Sequence, residues 1–176
     1  MGDFTIFWRL LNILGRIARR RSRPLRLLVD VRETPTSRGF HALAVLNLIA
    51  AHLADVTLFL LTTGDGDEMS AIEVFRADHG VTATILTEPE LELDSLRFDL
   101  VFAVAEAAGD PASEPQFAGR ARRSLIGAMF QQIPPRHGMV VVDGHDTAAM
   151  ARSLARLIDP LAIDPSFTTR PVSCAS

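Results

Sequence analysis

The stretch RLLVDVRETPTSRGFHALAVLNLIAAHLADVTLFL, residues 26–60, decides the fold class. Leu27-Leu28-Val29-Asp30-Val31 is a short apolar run of the kind needed by a strand covered on both faces. Thr34-Pro35-Thr36-Ser37-Arg38-Gly39 reads as a turn. Phe40 to Ala54 predicts a helix that is apolar nearly all round, broken only by His41, Asn47 and His52, and therefore largely buried. Val56 to Leu61 is a second buried strand. A strand, a buried helix and a second strand make one βαβ unit, which pairs its strands in parallel.

The rest of the chain continues the alternation. Asp67 and Glu68 suit the start of a helix over Met69–Asp78, and His79-Gly80 suits its stop. Val81 to Leu86 predicts a third strand, and Phe98 to Val104 a fourth after the acidic stretch Glu88 to Asp94. Arg120 to Gln132 reads as a helix ended by Pro134-Pro135. Met139 to Asp143 is a fifth strand, and Thr147–Leu157 a final helix. The expectation is an α/β domain over residues 26–176: an open parallel sheet of about five strands, helices on both faces, right-handed crossovers.

Ahead of it, residues 1–25 predict a separate amphipathic basic helix. At 100° per residue, Phe4, Phe7, Trp8 and Leu11 fall on a broad apolar arc and Arg9, Arg16, Arg19 and Arg20 in a narrow polar sector. Residues 1–26 carry seven Arg against one acid, a charge of +6, while the other 150 residues carry 11 Arg and 20 acids, a charge of −9. The arrangement suits a helix lying in a lipid headgroup interface, with Phe4, Phe7, Trp8 and Leu11 inward and Arg16, Arg19 and Arg20 among the headgroups. Packing on its own domain, a dimer contact in a homo-oligomer and a targeting role are the other readings. Only about 15 residues precede the Arg cluster, against about 20 needed to cross a bilayer. The acidic body excludes broad nucleic-acid binding, which needs a basic surface.

All 18 basic residues are Arg, since the sequence has no Lys, and this excludes a Walker lysine and with it P-loop nucleotide hydrolysis. A G-x-G-x-x-G fingerprint is also missing, so no dinucleotide cofactor is expected. A single cysteine, Cys174, excludes a disulfide framework and a cysteine-built zinc site, and no metal is expected. The expected compartment is a reducing cytosol, at the inner face of the plasma membrane if the N-terminal helix binds lipid. Asp65-Gly66-Asp67-Glu68 lacks the spacing of a calcium loop. G-x-S-x-G does not occur.

Parallel open sheets bind ligands beyond the carboxyl ends of their strands. Three loops fall there: Arg32 to Gly39, the segment with Glu106, and Asp143-Gly144-His145-Asp146. The first offers a helix start to a phosphate, with Arg38 and Arg32 as counter-charges. In the last, His145 could hydrogen-bond a sugar hydroxyl or shuttle a proton, with Asp146 fixing its tautomer. Alternatively Asp146 caps the helix behind it and His145 faces solvent.

The segments Pro35-Thr36-Ser37-Arg38-Gly39, Ala54-Asp55-Val56-Thr57-Leu58-Phe59, Phe98-Asp99-Leu100-Val101 and Val142-Asp143-Gly144-His145-Asp146, in that order, resemble the N-terminal Rossmann-like half of GT-B glycosyltransferases of the family-four type. The resemblance covers residues 26 to about 160. It implies sugar transfer from a nucleotide-sugar donor to a lipid- or glycan-linked acceptor, without a redox cofactor. By matching position, it puts His145 and Asp146 at the transferred sugar, and Arg38, Gly39, Phe40, Glu106 and Asp143 at the donor and acceptor. Phe40 stands where the family has a second glycine, an obstacle to close approach of a diphosphate. The paired glutamates of the donor half, eight positions apart, find no match, and no Glu follows residue 150. Catalysis is therefore expected only with a donor-binding domain in cis or trans. The alternative is a non-catalytic Rossmann-like interaction module tethered to membrane or partner.

Overall fold

A computed structural model describes residues 24–35, 37–87, 96–105, 121–129 and 138–159. The expectations for the N-terminal helix, including Phe4, Phe7, Trp8, Leu11, Arg16, Arg19 and Arg20, and for Glu106 lie outside them. The described residues form strands β1 (Leu25–Asp30), β2 (Glu33–Thr34), β3 (Ser37–Arg38), β4 (Val56–Thr62), β5 (Ala83–Thr87), β6 (Phe98–Ala105), β7 (Ala121–Ala128) and β8 (Met139–Asp143). Three α-helices accompany them: α1 (Gly39–Leu48), α2 (Gly66–His79) and α3 (Thr147–Ile158), with a 3-10 turn over Ala50–Leu53 after α1. No described helix is long and apolar enough to cross a membrane.

The six longer strands run parallel in the order β5-β4-β1-β6-β7-β8. Counted along the chain these are the third, second, first, fourth, fifth and sixth long strands, the order of doubly wound Rossmann folds. The fold is a Rossmann-like α/β sheet flanked by helices, and the three described helices pack on one of its faces; the helices expected on the other face are not among the described residues. The sheet is mixed and not purely parallel, because the short strands β2 and β3 form an antiparallel hairpin and β3 pairs antiparallel with β6.

One element corrects the sequence reading. Residues 121–128, expected in a helix, are β7, paired with β6 from Phe98↔Ala121 to Ala105↔Ala128. Arg, Ala and Leu favour helices, but the segment buries Ser124, Leu125 and Ile126 between two strands, and that tertiary pairing outweighs propensity. Gly127 is the residue that marks it: a Cβ there would come 2.4 Å from Met150 Sδ of α3, so a larger residue would have to displace that buried side chain.

The alternation of side chains along each strand sorts the core. Leu27, Val29, Leu58, Leu60, Leu100, Phe102, Val104 and Leu125 pack with Leu46 of α1, Ile72 and Phe75 of α2, and Met150 and Leu154 of α3. The opposite face gathers Leu28, Phe59, Leu61, Phe98 and Val101 into a second cluster. At its rim, the Arg26 guanidinium lies over Phe59 and Phe98, 5.1 and 5.7 Å from the ring centres. Helix α2 begins at Asp65, whose side chain accepts from Asp67 N, and stops at left-handed Gly80, φ 61°.

Candidate functional site

The sheet order reverses between β1 and β6, and there the strand-end loops gather. Register explains how. β1 leaves β6 after Val29↔Phe102, and Ser37 of β3 takes the vacated side at Ala105, whose other side pairs with Ala128. The paired strands β2 and β3 therefore lie over the reversal point. Gly39 follows at once, and a Cβ on it would sit 2.0 Å from Val31 O and 2.8 Å from Arg32 N. Only a residue without a side chain lets α1 start against the tip of β1.

Charge on this edge is largely matched within the chain. Arg32 grips Asp30 with two bonds, Nε to Oδ1 at 2.9 Å and Nη2 to Oδ2 at 2.8 Å. The start of α1 is also supplied: Glu33 Oε2 accepts from Phe40 N at 3.1 Å, and Glu33 Oε1 meets Arg38 Nη1 at 3.4 Å. The place that the sequence offers to a phosphate holds a carboxylate of the same chain. Phe40 is exposed.

Beneath this, Glu68 is buried although it belongs to the first turn of α2. It accepts from Glu33 N and Thr63 N, both at 2.8 Å, and from the Thr62 hydroxyl. Burial pushes its pKa up, but the hydrogen bonds from Thr62, Glu33 and Thr63 outweigh burial and hold the carboxyl below its ordinary value of 4.5. Composition and periodicity gave no sign of this role, because Glu in a helical first turn has an ordinary dipole explanation. Ser37 Oγ, also buried, makes no hydrogen bond among the described residues.

The end of β8 is built differently. His145 N donates to Asp143 Oδ1 at 2.9 Å, Asp146 N to Asp143 O at 3.2 Å, and Gly144 N to Ala128 O at 2.8 Å. His145 Nε2 lies 2.8 Å from Met129 O. A carbonyl only accepts, so Nε2 carries a proton in this contact. Met129 O thus orients the imidazole. Asp146 instead caps α3: its Oδ1 accepts from Ala149 N at 2.7 Å, with Arg152 4.0 Å from Oδ2. Of the two sequence readings of Asp146, the helix cap is the contact observed.

Two backbone contacts and one side-chain contact link the two ends of this edge. Ser37 pairs with Ala105, Ala105 O accepts from Met129 N at 3.0 Å, and Met129 O accepts from His145. Arg38, Gly39 and Phe40 stand at one end of that row, with Asp143, His145 and Asp146 at the other. Among the described residues no group of three or more His, Cys, Asp or Glu side chains could hold a metal ion.

No family model matches the chain, and no curated protein matches its sequence. A similar solved structure is the N-terminal domain of trehalose-6-phosphate phosphatase from Candida albicans, with a TM-score of 0.51 and 11% identity. The match covers 90% of this chain and 38% of that one, so this chain spans well under half of its length. At that identity the likeness is one of fold.

Proposed function

We propose that the chain is the acceptor-side, Rossmann-like half of a GT-B-type glycosyltransferase. It would take part in sugar transfer from a nucleotide-sugar donor when a donor-binding domain is supplied in cis or trans. The observation that carries the reading is the row Ser37–Ala105–Met129–His145, which joins the Arg38-Gly39 turn and His145 along one carboxyl edge at the strand-order reversal. His145, its ring held against the Met129 carbonyl, would then contact a sugar hydroxyl or exchange a proton during transfer. Arg38 and the first N–H groups of α1 would meet the phosphates, which requires Glu33 to swing away from Phe40 N. A lipid-linked acceptor would bring residues 1–25 to a membrane surface.

The test is binding of UDP-glucose and GDP-mannose by calorimetry to the whole chain and to a His145→Ala variant. Specific binding of at least one, weakened about tenfold or more by the substitution, about 1.4 kcal/mol, supports the reading. Unchanged affinity removes His145 from the site, and no binding to either chain removes the sugar-nucleotide reading. Vesicle flotation of residues 1–176 against 25–176 tests the membrane claim, which fails if both bind alike.

A second reading, a non-catalytic module that docks a partner, is favoured by exposed apolar side chains on adjacent helices. Phe40 and Leu48 of α1 are 42% and 63% exposed, and Val74 of α2 is 60% exposed. Concentration-dependent association abolished by Leu48→Asp, with no nucleotide-sugar binding, would favour it.

A further inference from the structure

Glu68 is 2% exposed, and a buried carboxylate survives ionised only when donors replace its lost water. Its donors come from two separate strand ends. Glu33 N, just past β1, reaches Oε1 at 2.8 Å, while Thr63 N and the Thr62 hydroxyl at the end of β4 reach Oε2. One side chain therefore clips the hairpin to the neighbouring strand end. The clipped residue then acts in turn: the Glu33 carboxylate accepts from Phe40 N and meets Arg38. On its sheet side the hairpin pairs with β6 at Ser37↔Ala105, where the buried Ser37 hydroxyl adds no hydrogen bond among the described residues.

We propose that Glu68 is a positioning residue, whose carboxylate sets the place of the 33–40 segment over the reversal point between β1 and β6 and thereby the affinity of that edge for a sugar nucleotide. The positioning half stands on the hydrogen bonds alone, and the affinity half rests on the proposed function. Glutamine cannot substitute, because its amide nitrogen would face an N–H donor at one of the two carboxylate positions. Aspartate is one methylene too short to reach both strand ends.

The experiment is amide hydrogen exchange on the whole chain, comparing wild type with Glu68→Gln and, as a milder change, Thr62→Val. UDP-glucose and GDP-mannose titrations run beside it. Exchange at Glu33 and Phe40 should rise tenfold or more in Glu68→Gln while Leu58 to Leu61 of β4 keep their protection, and affinity for whichever nucleotide binds should fall about tenfold. A pH profile separates this from general destabilisation. After correction for intrinsic rates, wild-type protection at Glu33 should fall as the pH drops below 4.5, and Glu68→Gln should show no such step. The other carboxylates at these strand ends and at the start of α2, namely Glu33, Asp30 with its partner Arg32, Asp65 and Asp67, all remain in that variant.

Equal protection of the hairpin in wild type and Glu68→Gln would overturn the positioning claim. So would loss of protection in β4 to the same degree as in the hairpin. If Glu68→Gln does not fold, Thr62→Val must loosen Glu33 and Phe40 by a smaller factor, and unchanged exchange there overturns the claim equally. A loosened hairpin with no nucleotide binding to wild type sinks the sugar reading and leaves the clip standing. A loosened hairpin with undiminished nucleotide affinity sinks the affinity half alone.

Discussion

Gly39 shows how little freedom one position can have. Its missing side chain is filled by the backbone of Val31, at 2.0 Å from where a Cβ would lie. Backbone cannot step aside as the tip of a flexible side chain can, so Gly39→Ala should cost about 3 kcal/mol or prevent folding, the upper range of overpacking penalties. A urea midpoint unchanged from wild type would refute this. Glu68 gives a pH dependence of definite sign. Its folded-state pKa is lowered, so its contribution is complete above the unfolded value of 4.5 and is lost as pH falls through the folded one. Urea midpoints should drop more steeply below pH 4.5 in wild type than in Glu68→Gln, and parallel curves would remove Glu68 as the source. Gly39 was visible in the sequence as part of a turn, but its close approach to Val31 was not, since that depends on where the hairpin returns.

Helix α3 is set by the residue that caps it and by the strand beneath. Asp146→Ala removes the oxygen that accepts from Ala149 N, and should cost about 1 kcal/mol, shifting Tm by roughly 2–4 °C. Asp146→Asn keeps the cap and should restore most of it, which thermal melts of the two variants will show. Gly127→Ala pushes a Cβ toward Met150 Sδ and should cost about 1–3 kcal/mol by the same melts. Five of the long strands were legible in sequence because buried parallel strands need continuous apolar runs, as in Leu27 to Val31 and Phe98 to Val104. β7 was not, because Arg122 and Arg123 open it and its residues favour a helix; Gly127 was the contrary signal. The hairpin escaped because β2 and β3 have two residues each, too few for any alternation to register. At the site, strand-end reasoning reached His145 and the Arg38 turn, whereas Glu68 and Met129 act through contacts that span 35 and 16 positions.

At the scale of the sheet, stability should be graded from the centre outward. β1 and β6 are flanked by strands on both sides and bury Leu27, Leu28, Val29, Val101, Phe102 and Ala103 almost completely, whereas Val140 in β8 is exposed. Amides of β1 and β6 should exchange only through global unfolding, and those of β5 and β8 through smaller openings, which native-state exchange in low denaturant will resolve. The centre also carries a consequence for biosynthesis. β1 is made first of the six long strands, yet one of its two neighbours is β6, whose residues lie more than 70 positions later, as in Leu27↔Leu100. At ribosomal rates of about 5–20 residues per second, roughly 4–15 s pass before that partner exists. Throughout that interval one flank of Leu27-Leu28-Val29 is an unclaimed template on the nascent chain.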